Sequence, residues 1–107
     1  MQAIVKKNSM IKGIIGYKVL NYKNVEPILM QLRSYAMQCQ GFITAEFMVS
    51  EGDESVGVMI STWDTMENWR KWVESKGTQA LLRRARAAVT GTPRITAYRT
   101  MPTVEWS

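Results

Sequence analysis

Ser55-Val-Gly-Val-Met-Ile-Ser-Thr-Trp-Asp-Thr-Met-Glu-Asn-Trp-Arg-Lys-Trp-Val73 is the stretch whose reading decides the fold. Val56, Val58 and Ile60 alternate and are β-branched, the pattern of a strand. Asp64-Thr65 interrupts that pattern, and Met66, Trp69 and Val73 then fall on one face of a helix. Asp64 or Thr65 can cap it, because a short side-chain oxygen accepts from the unpaired amides of a first helical turn. Three of the four tryptophans, Trp63, Trp69 and Trp72, lie in this strand–cap–helix unit. Such a cluster reads in two ways, as an aromatic core or as the wall of an apolar pocket.

Upstream, Glu51-Gly52-Asp53-Glu54 is a polar connection, and Phe42–Ser50 before it is a strand apolar on both parities. Phe42 and Met48 fall on one parity, Ile43, Ala45, Phe47 and Val49 on the other. The two strands should form an antiparallel hairpin. Its acidic tip lacks the alternating ligand spacing of a calcium loop. Earlier, Val25, Ile28, Leu29, Leu32 and Ala36 repeat at helical spacing. Asn24 is the expected cap, Pro27 falls in the first turn, and Gly41 ends the helix as a left-handed residue. Ile11–Leu20 is a strand in which Gly13 and Gly16 allow a bulge or the close approach of another group.

Downstream, the tryptophan helix runs from Met66 to about Ser75, and Lys76-Gly77-Thr78 breaks or kinks it. Gln79–Val89 forms a second helical piece, Gly91-Thr92-Pro93 a turn, and Arg94–Met101 a last strand. The order strand–helix–strand–strand–helix–strand implies an α+β, ferredoxin-like βαββαβ arrangement. Right-handed crossovers then give a four-stranded antiparallel sheet with the helices on one face. The other face should be polar, yet neither parity of the first three strands is. A second copy of the same sheet is the simplest cover, which predicts a homodimer.

The chain has 107 residues, which fits a single domain over 1–107 with its core at about 11–101. Apolar content of 46% and charged content of 21% are ordinary for a globular protein. No apolar run is long enough to span a membrane. Met1–Gly16 lacks the long apolar segment and cleavage site of a signal peptide, so a cytoplasmic location is the default expectation. The single Cys39 excludes an internal disulfide and reads as a small buried hydrophobe; no Cys/His cluster is available for a metal. With no histidine in the chain, Ser–His and Cys–His catalysis are excluded.

The net charge of +5 raises a nucleic-acid reading, with Lys6, Lys7, Lys12, Lys18 and Lys23 early and Arg83, Arg84 and Arg86 late. No aromatic–basic sheet signature and no helix-turn-helix pattern accompanies these charges. A solvated face is the simpler reading, and nucleic acid is not an expected partner.

The chain resembles the antibiotic-biosynthesis monooxygenase (ABM) domain family of the dimeric α/β-barrel superfamily. The resemblance rests on Gly41-Phe42, on Ile60-Ser61-Thr62-Trp63-Asp64, on Glu67-Asn68-Trp69 with Trp72, and on Gly91-Thr92-Pro93. It covers about Ile11 to Met101 and implies that two ferredoxin-like sheets pair as a dimeric α/β barrel. Enzymes of the family commonly oxidise small polycyclic phenols with molecular oxygen, without metal or flavin, so no cofactor is expected. The protein supplies a dry pocket, orientation and a hydrogen-bond partner for developing charge. Quinone-forming members end the third strand with a tryptophan, matched by Trp63, and carry an aromatic on the next helix, matched by Trp69. Met59 stands where those members have an asparagine. Haem-degrading relatives use an asparagine on the first strand and a histidine ligand on the second helix. Gly16 and Leu82 stand near those positions, and a chain without histidine cannot supply that ligand.

The candidate pocket residues are Trp63 and Trp69, matched by the resemblance, Met59 at the position where it departs, and Trp72, Tyr17, Arg83 and Arg86 from the residues themselves, with a small hydrophobic or aromatic ligand. No catalytic residue is assigned. Ser61, Asn68 and Tyr98 are further polar candidates near such a pocket. The implied function is a cofactor-independent monooxygenase acting with O2 on a small aromatic or polyketide-like substrate. The alternative is a non-catalytic ligand-binding or interaction dimer of the same fold.

Overall fold

A computed structural model describes residues 3–5, 9–101 and 104–106. Along the chain run β1 (Ala3–Val5), β2 (Ile11–Lys18), α1 (Tyr22–Met37), β3 (Phe42–Val49) and β4 (Val56–Trp63). They are followed by α2 (Met66–Val73), α3 (Lys76–Ala85), β5 (Arg94–Arg99) and β6 (Val104–Trp106). The main sheet is antiparallel with strand order β3-β4-β2-β5. This is the ferredoxin-like α+β arrangement expected from the order of elements. β1 and β6 add a separate two-stranded antiparallel ribbon that the sequence reading did not anticipate. The expectation that something covers the Trp106 side chain lies outside the described residues.

Periodicity explains the layers. Ile11, Ile15 and Tyr17 of β2 and Met59 and Trp63 of β4 point one way, and all are buried. Above them lie Val25, Ile28, Leu29, Leu32 and Ala36 of α1, Trp69, Trp72 and Val73 of α2, and Leu82 and Ala85 of α3. The sequence-derived helical stripe of α1 is therefore its buried face.

Several boundaries differ from expectation, each for a local reason. The N-cap of α1 is Asn21, not Asn24: Asn21 Oδ1 accepts from the Lys23 amide at 2.9 Å. The helix thus starts three residues earlier, and Pro27 lies inside it rather than in its first turn. Pro27 is exposed, so the carbonyl it leaves unpaired can bond to water. Thr65 caps α2 by accepting from the Asn68 amide at 3.1 Å. The helix break comes at Glu74-Ser75 rather than at Lys76-Gly77-Thr78. Ser75 is the N-cap of α3 and accepts from the Thr78 amide at 3.3 Å, so Gly77 is helical. Gly41 does adopt the left-handed region, at φ 86°, but α1 has already ended at Met37.

The largest departure is in β3. Its register against β4 shifts between Phe42 and Thr44, a bulge that moves Phe42 to the side of Ala45 and Phe47. Phe42 thereby faces the helices instead of sharing a face with Met48. The open face of the sheet is less uniformly apolar than the parity count implied. Ile14, Val58, Ile60 and Met48 form its centre, and Lys12, Lys18, Glu46, Thr44, Thr62, Thr96, Arg94 and Tyr98 frame them. Lys12 Nζ lies across this face and donates to Thr62 Oγ1 at 2.8 Å. No helix among the described residues is long and apolar enough to cross a membrane.

Candidate functional site

The end of β4 and the start of α2 place the three indoles against the sheet. Trp63 has 0% of its surface exposed and Trp72 1%. Their ring centroids are 5.5 Å apart with planes tilted by 30°. The Phe42 ring meets Trp63 edge-on at 5.5 Å and 83°, a favoured geometry for aromatic quadrupoles. The β3 bulge is what brings Phe42 there. Sequence parity missed this residue, since nothing in the local sequence announces the bulge.

Trp69 sits one turn before Trp72 and packs on β2 at Gly13, where a Cβ would overlap its indole nitrogen. Gly13 thus provides the close approach anticipated from the sequence. Gly16 does not: a Cβ there would meet only ordinary contacts at 3.9 Å.

The polar groups in this layer are few. Trp63 Nε1 donates to Ser61 Oγ at 3.0 Å, and the Ser61 hydroxyl points at the Gly13 carbonyl at 3.5 Å. Trp72 Nε1 is buried and has no hydrogen-bond partner. A buried donor left unpaired costs about 1–3 kcal/mol, and among the described residues this N–H is the one fully buried indole N–H without a partner. Asn68 is turned away, donating to Asp64 Oδ1 at 2.8 Å.

The structure brings Trp63, Trp69 and Trp72 together and adds Phe42, Ser61 and Gly13. Met59 lies on the same face of β4, fully buried between Ile15 and Phe47 as strand partners. Tyr17 does not join the cluster. It lies six residues along β2 from Ile11, the partner of Trp63, a distance of roughly 20 Å in a strand. There it pairs with Gly57 near Tyr22, whose hydroxyl is likewise buried without a partner. Burial, and secondarily Tyr22, pushes the Tyr17 phenol up to about 12. Arg83 and Arg86 are exposed at the end of α3, and Tyr98 is 60% exposed on β5. Cys39 is partly buried with its thiol on the Tyr35 carbonyl at 3.4 Å, and burial raises its pKa. Among the described residues no cluster of three or more His, Cys, Asp or Glu side chains could hold a metal ion.

The family model described as "Antibiotic biosynthesis monooxygenase" matches residues 22–84, more than half of the chain and all of the tryptophan unit. The chain belongs to this family. No curated protein matches the sequence. Solved structures do match in fold. SnoaB, a cofactor-independent oxygenase from Streptomyces nogalater, is 14% identical with a TM-score of 0.76, over 89% of this chain and 96% of its own. A conserved protein from Methanosarcina mazei Go1 is 11% identical with a TM-score of 0.77, over 85% of this chain and 92% of its own. A protein of Mycobacterium tuberculosis is 9% identical with a TM-score of 0.70, over 83% of this chain and 92% of its own. At these identities the likeness establishes that this ABM-family chain shares their fold.

Proposed function

We propose that this ABM-family chain is a cofactor-independent oxygenase of small electron-rich aromatic compounds, with its substrate held between the helices and the sheet at Trp63, Trp69 and Trp72. The observation that carries the reading is the unpaired Trp72 Nε1 in a cluster whose other buried side-chain polar groups, Trp63 Nε1 and Ser61 Oγ, bond to each other. A desolvated donor of this kind stabilises an oxyanion that develops nearby far more than water-exposed donors do. The chemistry asks little else of the protein. A carbon acid such as an anthrone supplies all four electrons to O2: its CH2 becomes C=O with one oxygen atom, and the two hydrogens leave with the second oxygen atom as water. Trp69, 8% exposed, is the outermost of the three indoles.

The same reading includes a homodimer. Ile14, Val58, Ile60 and Met48 form an apolar centre framed by charges of both signs, which suits a second copy of the sheet better than water. Oxygen uptake with a panel of anthrones and quinols tests the activity. Substrate-dependent consumption above the uncatalysed rate supports it, and a flat trace across the panel refutes it.

A second reading, a non-catalytic ligand-binding or interaction dimer, is favoured by one observation. Met59 and Trp63 are wholly enclosed, and Met59 puts a thioether where the quinone-forming members carry an amide. Saturable binding of the same compounds with no oxygen consumption would select this reading.

A further inference from the structure

We propose that the outer groove between α1 and α3 is a second ligand site, for a flat fused-ring aromatic carboxylate. The groove is open to solvent along its length and offers about 430 Å³, within the range of small-molecule sites. Its floor is the half-buried Tyr35 ring, Leu81 and the bare backbone of Gly77. Gly77 is needed there, because a Cβ would lie 2.9 Å from Tyr35 Cε2 and crowd the ring out of position.

The two helices run antiparallel along the groove, with Tyr35 against Gly77 at one end and Gln31 against Arg84 at the other. Gly77 and Arg84 are seven residues apart on α3, roughly 10 Å at the rise of a helix. That length takes two fused rings stacked along the Tyr35 end with a charged group reaching Arg84.

The charge at that end is specific. Arg84 Nη1 donates across the groove to the neutral Gln31 Oε1 at 3.2 Å. No acidic residue lines the groove, and α3 carries Lys76, Arg83 and Arg84 with no carboxylate of its own. A carboxylate would replace the amide oxygen as acceptor, adding an opposite charge and a second oxygen that can take a parallel guanidinium N–H. The site is independent of the indole cluster, which lies beneath the helices. It also stays open if the bare sheet face is covered by a second copy, since the two surfaces are on opposite sides of the molecule.

The probe is 2-naphthoate, titrated into labelled protein and followed by amide chemical shifts, with 2-naphthamide as its uncharged counterpart. The expected result is saturable shifts at Gln31, Tyr35, Gly77, Leu81 and Arg84. Affinity should fall at least tenfold both for naphthamide and for Arg84→Gln, an exposed substitution that leaves the melting temperature unchanged. Gly77→Ala, with its fold checked by circular dichroism, should weaken binding through the displaced Tyr35 ring. Absence of saturable shifts in the groove overturns the proposal. So do shifts centred on Gly13 and Trp69, and so does binding indifferent to the charge at residue 84.

Discussion

The Trp69 indole occupies the space in which any side chain at residue 13 would have to stand. A helix residue and a strand residue 56 positions apart are thus fitted to one another, and the fit fixes how closely α2 approaches the sheet. Gly13→Ala should destabilise the protein by about 1–3 kcal/mol, the usual cost of overpacking. Urea unfolding followed by tryptophan fluorescence measures it. An unchanged midpoint would mean that Trp69 moves aside freely.

Trp63 is enclosed and edge-stacked by Phe42, so here the cost comes from removing volume rather than adding it. Trp63→Ala should cost about 3–5 kcal/mol through the cavity it leaves. A loss well below that range, together with a collapse of ligand affinity, would identify Trp63 as lining a cavity that opens in solution.

How much of this was legible in the sequence depends on what set each feature. The hairpin, the α1 stripe and the strand–cap–helix unit follow from spacing within about ten residues, and they stand as expected. The Asn21 cap and the break at Ser75 were misplaced because several capping residues compete locally, and tertiary packing chooses among them. The Phe42 bulge left no local mark, since it is a property of two strands in register. The tryptophans were identified as a group, but one-dimensional spacing could not tell a filled layer from an open one. Tyr17 shares the sheet face of Trp63 yet lies a strand's length away. The unpaired Trp72 N–H could be found only by accounting for every hydrogen bond.

Tyr17 gives the pH dependence its sign. Burial and the neighbouring Tyr22 raise its pKa to about 12 in the folded chain, whereas the unfolded phenol ionises near 10. Above pH 10 the unfolded state releases this proton first, so stability falls as pH rises from about 10 to 12 and is unaffected by this group below that window. Tyr22, also raised by burial and then by Asp53 and Glu54, acts in the same direction. Tyr17→Phe should flatten the alkaline limb of a melting-temperature profile. An identical limb in the variant would assign the effect to other groups.

The bare sheet face carries the dimer proposal. Ile60→Lys places a charge among Ile14, Val58 and Met48 without touching the helix-facing core. Sedimentation velocity should show a dimer for the parent chain and a folded monomer for the variant. A parent chain that stays monomeric at micromolar concentration would refute the pairing.

The oxygenase reading rests on one hydrogen, that of Trp72 Nε1. Trp72→Phe removes the N–H and keeps an aromatic ring in the stack against Trp63. The most direct measurement is oxygen consumption by the parent and this variant with the best substrate of the anthrone panel, alongside substrate affinity and a thermal melt. The account predicts one O2 consumed per anthrone by the parent. It also predicts at least a tenfold fall in kcat for the variant, with folding and substrate binding retained. Equal turnover by the two proteins, or none by the parent, would contradict it.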